Sequence, residues 1–131
     1  MKSKINLLAV LFLAMTFAYT SCSDDDEKPA PVPTATTGGL VVKVKVKGQT
    51  GFLTGADAGL ATSQENLDNE VYLQDKETDA NGQVDFGQLN PGNYYFYGFT
   101  EIGNDDYYGE GQAQIAAGKN LVLTLELEID N

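Results

Sequence analysis

Tyrosines and carboxylates are the residues here whose types and spacing could do chemistry. The segment "NPGNYYFYGF", Asn90 to Phe99, carries five aromatic rings, and Tyr107 and Tyr108 follow shortly after it. A strand buried on one face needs an aromatic only at every second position. If Tyr94 and Phe96 face a core, then Tyr95, Tyr97 and Phe99 share the opposite face, and alternation lets one of Tyr107 and Tyr108 join them. A flat row of tyrosines with polar neighbours suits stacking on sugar rings or meeting a protein partner. The competing role for the same rings is to cover a sheet face beneath residues 49–69.

Other chemistry is thinned by absences. The sequence has no His, no Trp and no Arg; all eight basic residues are Lys. The usual general base near neutral pH and the commonest metal ligand are therefore missing, as is the planar fork that grips phosphate or carboxylate. The acids fall on expected turns and outward strand positions, where burial would not raise their pKa for glycosidic cleavage. "DANG", Asp79 to Gly82, opens like a calcium loop, but no Glu follows at the twelfth position. "NDD", Asn104 to Asp106, is only a cluster of oxygens. An intramolecular Lys–Asn isopeptide would need a first-strand lysine in the core, and Lys43, Lys45 and Lys47 alternate outward. The expectation is a non-catalytic protein without a metal or other bound cofactor.

The 19 acids against eight lysines give a net charge of −11. A surface of that sign repels a phosphate backbone, which excludes nucleic acid as a partner.

The N-terminus reads as an address. Residues 1–21 run from Lys2 and Lys4 through an apolar stretch at Ile5 to Tyr19 and on to small residues, the order of a secretory signal. The apolar run is shorter than the roughly 20 residues that span a bilayer. Cleavage before Cys22 removes two lysines and no acid, leaving six lysines against the 19 acids. Cys22 is the only cysteine, so no internal disulfide can form. "YTSC" resembles a bacterial lipobox with Tyr19 where the strict motif prefers Leu, as in Bacteroidota-type lipoproteins. That resemblance implies acylation of Cys22, with more than one chain giving a stable anchor. The acidic run Ser23, Asp24, Asp25, Asp26 and Glu27 resembles the export signal that sends such lipoproteins to the outer face of the outer membrane. "KPAPVPTATTGG" then reads as a semi-rigid tether, so residues 22–39 hold the folded part, 40–131, off the membrane.

The elements that must position the rings are strands. "LVVKVKVKG" alternates strictly, with Val42, Val44 and Val46 on one face and the three lysines on the other. "NLVLTLELEI" repeats the pattern: Leu121, Leu123, Leu125, Leu127 and Ile129 inward, with Val122, Thr124, Glu126 and Glu128 outward. If these two strands are neighbours, their outward lysines and glutamates favour alignment by a few tenths of a kcal/mol per pair. Between them, strands are expected over 55–62, 70–78, 83–86 and 94–100, and again after a polar loop at 101–106. Ser63 is placed to cap one helical turn. Pro91 and Gly92 suit a type II turn. The fold class is all-β: a seven-stranded antiparallel Greek-key sandwich, give or take one strand.

"TDANGQVDFGQLNPGNYYF", Thr78 to Phe96, resembles the core signature of carboxypeptidase-regulatory-like domains. These are prealbumin-like (transthyretin-like) sandwiches related to collagen-adhesin B-type repeats. The matching residues are Thr78, Asp79, Gly82, Phe86, Leu89, Pro91, Gly92 and Tyr94, with "GKN" at Gly118 to Asn120 and the Leu-rich last strand. The resemblance implies that Tyr94 and Phe96 point inward, which leaves Tyr95, Tyr97, Phe99, Tyr107 and Tyr108 as the candidate binding face. Such domains serve as spacers, adhesin stalks and accessory modules, so fold alone does not give function. Two readings follow: a surface-tethered binding module accessory to glycan capture, or an assembly subunit of an envelope or fimbria-like complex.

Overall fold

Residues 34–131 are described by the structure, a computed structural model. The elements in chain order are β1 (Gly38–Val46), β2 (Asp57–Ala61), α1 (Gln64–Asp68), β3 (Gln74–Glu77), β4 (Gln83–Leu89), β5 (Gly92–Ile102), β6 (Asp105–Ile115) and β7 (Asn120–Ile129). The expected lipidation site Cys22 and the expected export signal Ser23 to Glu27 lie outside the described residues.

The alternating strands build the core as their periodicity requires. Leu40, Val42, Val44 and Val46 of β1 are buried, as are Leu125 and Leu127 of β7, with Leu121 and Leu123 packed against them. Strand order is β3-β2-β5-β6-β7-β1-β4. β7, β1 and β4 form one layer and β3, β2, β5 and β6 the other, the two packing face to face as an all-β sandwich. They meet along β6 and β7, which pair only through Tyr107–Ile129 and Tyr108–Glu128.

One pairing departs from the all-antiparallel expectation: β1 and β7 run parallel, with Val42 beside Leu123 and Val44 beside Leu125. That register still sets the outward charges against each other. Lys45 Nζ lies 3.2 Å from Glu126 Oε1, and Lys47 pairs with Glu128. Ile129 was expected inward and is 49% exposed. β1 ends opposite Leu127, so nothing on that side remains to cover it.

Turn chemistry closes the frame. Asp79 Oδ1 accepts from the backbone N–H groups of Asn81 and Gln83, which makes "DANG" a turn whose carboxylate serves the backbone. The Tyr94 hydroxyl donates to the carbonyl of Asn90, 2.8 Å away, a tyrosine corner where the chain passes from β4 in one layer to β5 in the other. Gly92 has positive φ (152°) but already belongs to β5, so the expected type II turn is replaced by an immediate strand start. The expected polar loop at 101–106 is instead a hairpin tip. β5 and β6 pair as far as Ile102–Asp105, and Gly103 takes φ 69° in the two-residue turn.

Free edges are guarded. The short edge strand β3 turns Gln74 and Lys76 toward β4. Their side chains donate to the carbonyls of Phe86 (2.8 Å) and Asp85 (2.9 Å).

Candidate functional site

The outer face of the four-stranded layer carries the site, and strand register writes it out in rows. One row across β3, β2, β5 and β6 reads Asp75, Gly59, Tyr97, Glu110. The next reads Glu77, Asp57, Phe99, Tyr108. On the other side of Tyr97 stand Ala61, Tyr95 and Gln112. Tyr94 and Phe96 face the core, as the resemblance implied, and alternation then puts Tyr95, Tyr97 and Phe99 on the outer face.

Two further pieces raise walls around this face. Ser63 caps α1, its Oγ accepting from the N–H of Asn66 at 3.0 Å, and Leu67 is the buried residue of that turn. After the helix, Glu70 adopts φ 58° and reverses the chain. Val71 N–H then bonds to Asn66 carbonyl and Leu73 N–H to Leu60 carbonyl. This return carries Tyr72 onto Tyr97. The result is an open groove of about 540 Å³ with Tyr72, Tyr97, Tyr108 and Phe99 in its lining, edged by Asp57, Asp68, Glu70 and Glu110.

The rings form a row centred on Tyr97. Tyr72 lies 4.9 Å away by ring centroids with a 35° tilt, and Tyr108 lies 6.1 Å away, nearly parallel at 18°. The Tyr97 hydroxyl donates to Asp75 at 3.0 Å, and the Tyr108 hydroxyl donates to Glu110. Gln64 on α1 donates to both Asp68 (2.8 Å) and Glu110 (3.1 Å), tying the helix to β6. All three phenols are held above their ordinary pKa. For Tyr97 the causes are burial, then the Asp75 hydrogen bond; for Tyr108, burial, then Glu110; for Tyr72, burial, then the charge of Glu70. Tyr97 and Tyr108 are neutral donors to carboxylates.

The structure divides the sequence-derived face. Tyr97, Phe99 and Tyr108 come together in the groove. Tyr95 shares their face but lies in a separate shallow hollow with Asn93, Gln112 and Gln114. Tyr107 is on the other face, packed against the core beside Ile129, so the choice between it and Tyr108 falls to Tyr108. Tyr72 was absent from the sequence-derived set. Only its place in the alternation of "EVYLQDKET" hinted at it, and the return at Glu70 could not be read.

The chain matches no protein-family profile and no curated protein sequence. Among solved structures it is similar to a candidate carbohydrate-binding protein from Pseudomonas aeruginosa, with 14% identity and a TM-score of 0.41 over 76% of this chain and 99% of that one. A likeness of that size has no bearing on what the groove holds.

Proposed function

We propose that the chain is a lipid-anchored, non-catalytic binding module that presents the Tyr72–Tyr97–Tyr108 groove to a glycan at the outer face of the outer membrane. The three tyrosines gathered with carboxylates in one open groove carry this reading. Rings offer apolar faces to the C–H side of a pyranose, and carboxylates beside them accept from its hydroxyls. Anchorage rests on the resemblance around Cys22 and the acidic run after it, with the tether between membrane and sandwich. No helix among the described residues is long and apolar enough to cross a membrane.

Affinity electrophoresis through polysaccharide gels and a glycan array test the proposal. Retention by at least one glycan, lost in the Tyr72→Ala/Tyr97→Ala variant, is the expected result. No retention by any polysaccharide, or retention unchanged in that variant, would sink it.

The assembly reading retains one specific support. Beyond their two residue pairs, β6 and β7 share no ladder, leaving strand edges open to an added strand. Recovery from native envelopes only as a lone monomer would count against that reading.

A further inference from the structure

The two long sides of the sandwich are finished differently. On one side the edge strand β3 is four residues long, and its Gln74 and Lys76 reach across to the carbonyls of Phe86 and Asp85. A short strand, a lysine and side chains that occupy the neighbouring backbone all guard an edge against pairing. On the other side β6 runs eleven residues and β7 ten, with no lysine or proline in either. They pair only at Tyr107–Ile129 and Tyr108–Glu128, so toward Asn120 the edge of β7 has no partner among the described residues.

That edge is set to pair. Gly39 N–H donates to the Lys119 carbonyl and Lys47 N–H to the Leu127 carbonyl, so the odd-numbered residues of β7 serve β1. Backbone groups alternate sides along a strand, which turns those of Val122, Thr124 and Glu126 away from β1. Three strands in this layer face four in the other. Beside β7 lies a slot of about 440 Å³ with Phe96, Leu123 and Leu125 in its lining and Glu110 and Glu126 at its lips. Leu121 and Leu123 are only partly buried, and Val122 is 60% exposed.

We propose that β7 accepts an extended segment of a partner protein as the fourth strand of its layer, apolar at alternate positions and basic where it passes Glu126. This rests on the assembly reading and specifies its surface, whatever the tyrosine groove holds. Partner residues beside Leu121 and Leu123 point into the slot, where aliphatic side chains cover those leucines and approach Phe96. Residues beside Val122, Thr124 and Glu126 point to solvent. The row there already pairs Lys45 of β1 with Glu126 of β7 at 3.2 Å, and a base on the next strand continues its alternation of sign. A second copy of the chain fits less well. With 19 acids against eight lysines the copies repel, and the unpaired strands of a copy bring Glu110 and Glu126 and no base.

Fluorescence anisotropy with three labelled peptides of about nine residues tests this. The first alternates valine and lysine, the second has glutamate in place of lysine, and the third is the first with its backbone amides N-methylated. The first should bind about tenfold more tightly than either of the others and keep part of that affinity in high salt. Thr124→Pro removes a donor from an edge that tolerates proline, so it should abolish binding while the urea midpoint stays near the parent's. If that variant does not fold, Val122→Lys, at an exposed position, guards the same edge and should lower affinity about tenfold. Equal binding of the lysine and glutamate peptides overturns the basic partner. Equal binding of the N-methylated peptide, binding unchanged in the folded variants, or binding of no peptide overturns strand addition. A dimer in sedimentation that Val122→Lys dissolves makes the occupant a second copy instead. When strand addition fails, the assembly reading stands if native envelopes yield this chain in a complex and falls if they yield a lone monomer.

Discussion

The ring of Tyr97 occupies the space that a side chain at Gly59 would fill: a Cβ added there would stand 2.2 Å from Tyr97 Cε1. The two residues are register partners on β5 and β2. With no side chain between, the phenol can lean across β2 and reach Asp75 on β3, the partner of Gly59 on its other side. The groove's central ring is therefore placed by an omission in the neighbouring strand.

Gly59→Ala should dislodge that ring. In an open strand the change would favour folding, since glycine has more backbone freedom to lose. Here the overlap reverses the sign, and a cost of about 1–3 kcal/mol is expected in urea unfolding, as for overpacking elsewhere. Saccharide retention should fall with it. A variant as stable as the parent, with full retention, would show that Tyr97 has room to move.

Alkali should destabilise the fold through the same rings. Tyr97 and Tyr108 keep their protons in the folded state above the pH at which an unfolded tyrosine loses its own, about 10. The unfolded state then binds fewer protons, so stability is complete below about pH 10 and declines as pH rises further. Unfolding midpoints taken between about pH 8 and about pH 11 should show this decline, and Tyr97→Phe should make it shallower. A decline equally steep in that variant would place its origin elsewhere.

Reversing Glu126 should cost little and be repairable. Glu126→Lys places a third positive charge beside Lys45 and Lys47, whose partners lie along β7. Lys47 and Glu128 are solvent-exposed and Lys45 is half-buried, so the loss should be about 0.5–1 kcal/mol and shrink in high salt. Adding Lys45→Glu should restore most of it only if the parallel register of β1 and β7 holds. A double variant weaker than the sum of the single changes would contradict that register.

The residues that wrote the fold and those that built the site differ in how far their information travels. Val42, Val44 and Val46 alternate within one strand, so their burial was readable, and the opposite charges of Lys45 and Glu126 announced a neighbour. Their sequence could not say whether that neighbour ran parallel, because alternation looks the same in both directions. Gly38 and Gly39 read as tether because glycine carries no strand signal. They begin β1 because that strand runs close to the β6–β7 turn, where a Cβ at Gly38 would stand 2.4 Å from the Ala116 carbonyl oxygen. Of the ring row, Tyr97 followed from the parity of β5, and Tyr108 from an alternation that left it open against Tyr107. Tyr72 did not, since its position depends on a non-glycine residue, Glu70, taking positive φ, which local preference disfavours.

Thr78 separates packing from hydrogen bonding within the "TDANG" segment. It is the buried polar residue of the core, 5% exposed, and its hydroxyl works in both directions. Oγ1 accepts from Ala56 N–H at 3.0 Å and donates to the Leu53 carbonyl. The backbone adds Thr78 N–H to Ala56 carbonyl at 2.9 Å and Gly55 N–H to Thr78 carbonyl at 3.0 Å, which seats the strand leading into β2. Thr78→Val keeps the shape but leaves one donor and one acceptor without their partner, at roughly 1–3 kcal/mol each where water cannot reach them. Thr78→Ser keeps both bonds and loses one methyl, at about 1 kcal/mol. Urea unfolding should therefore rank parent above Ser and Ser above Val. Hydrogen exchange at the Ala56 amide should quicken in the Val variant more than in the Ser variant. The reverse ranking would mean that the methyl, and not the hydroxyl, holds this corner of the sandwich.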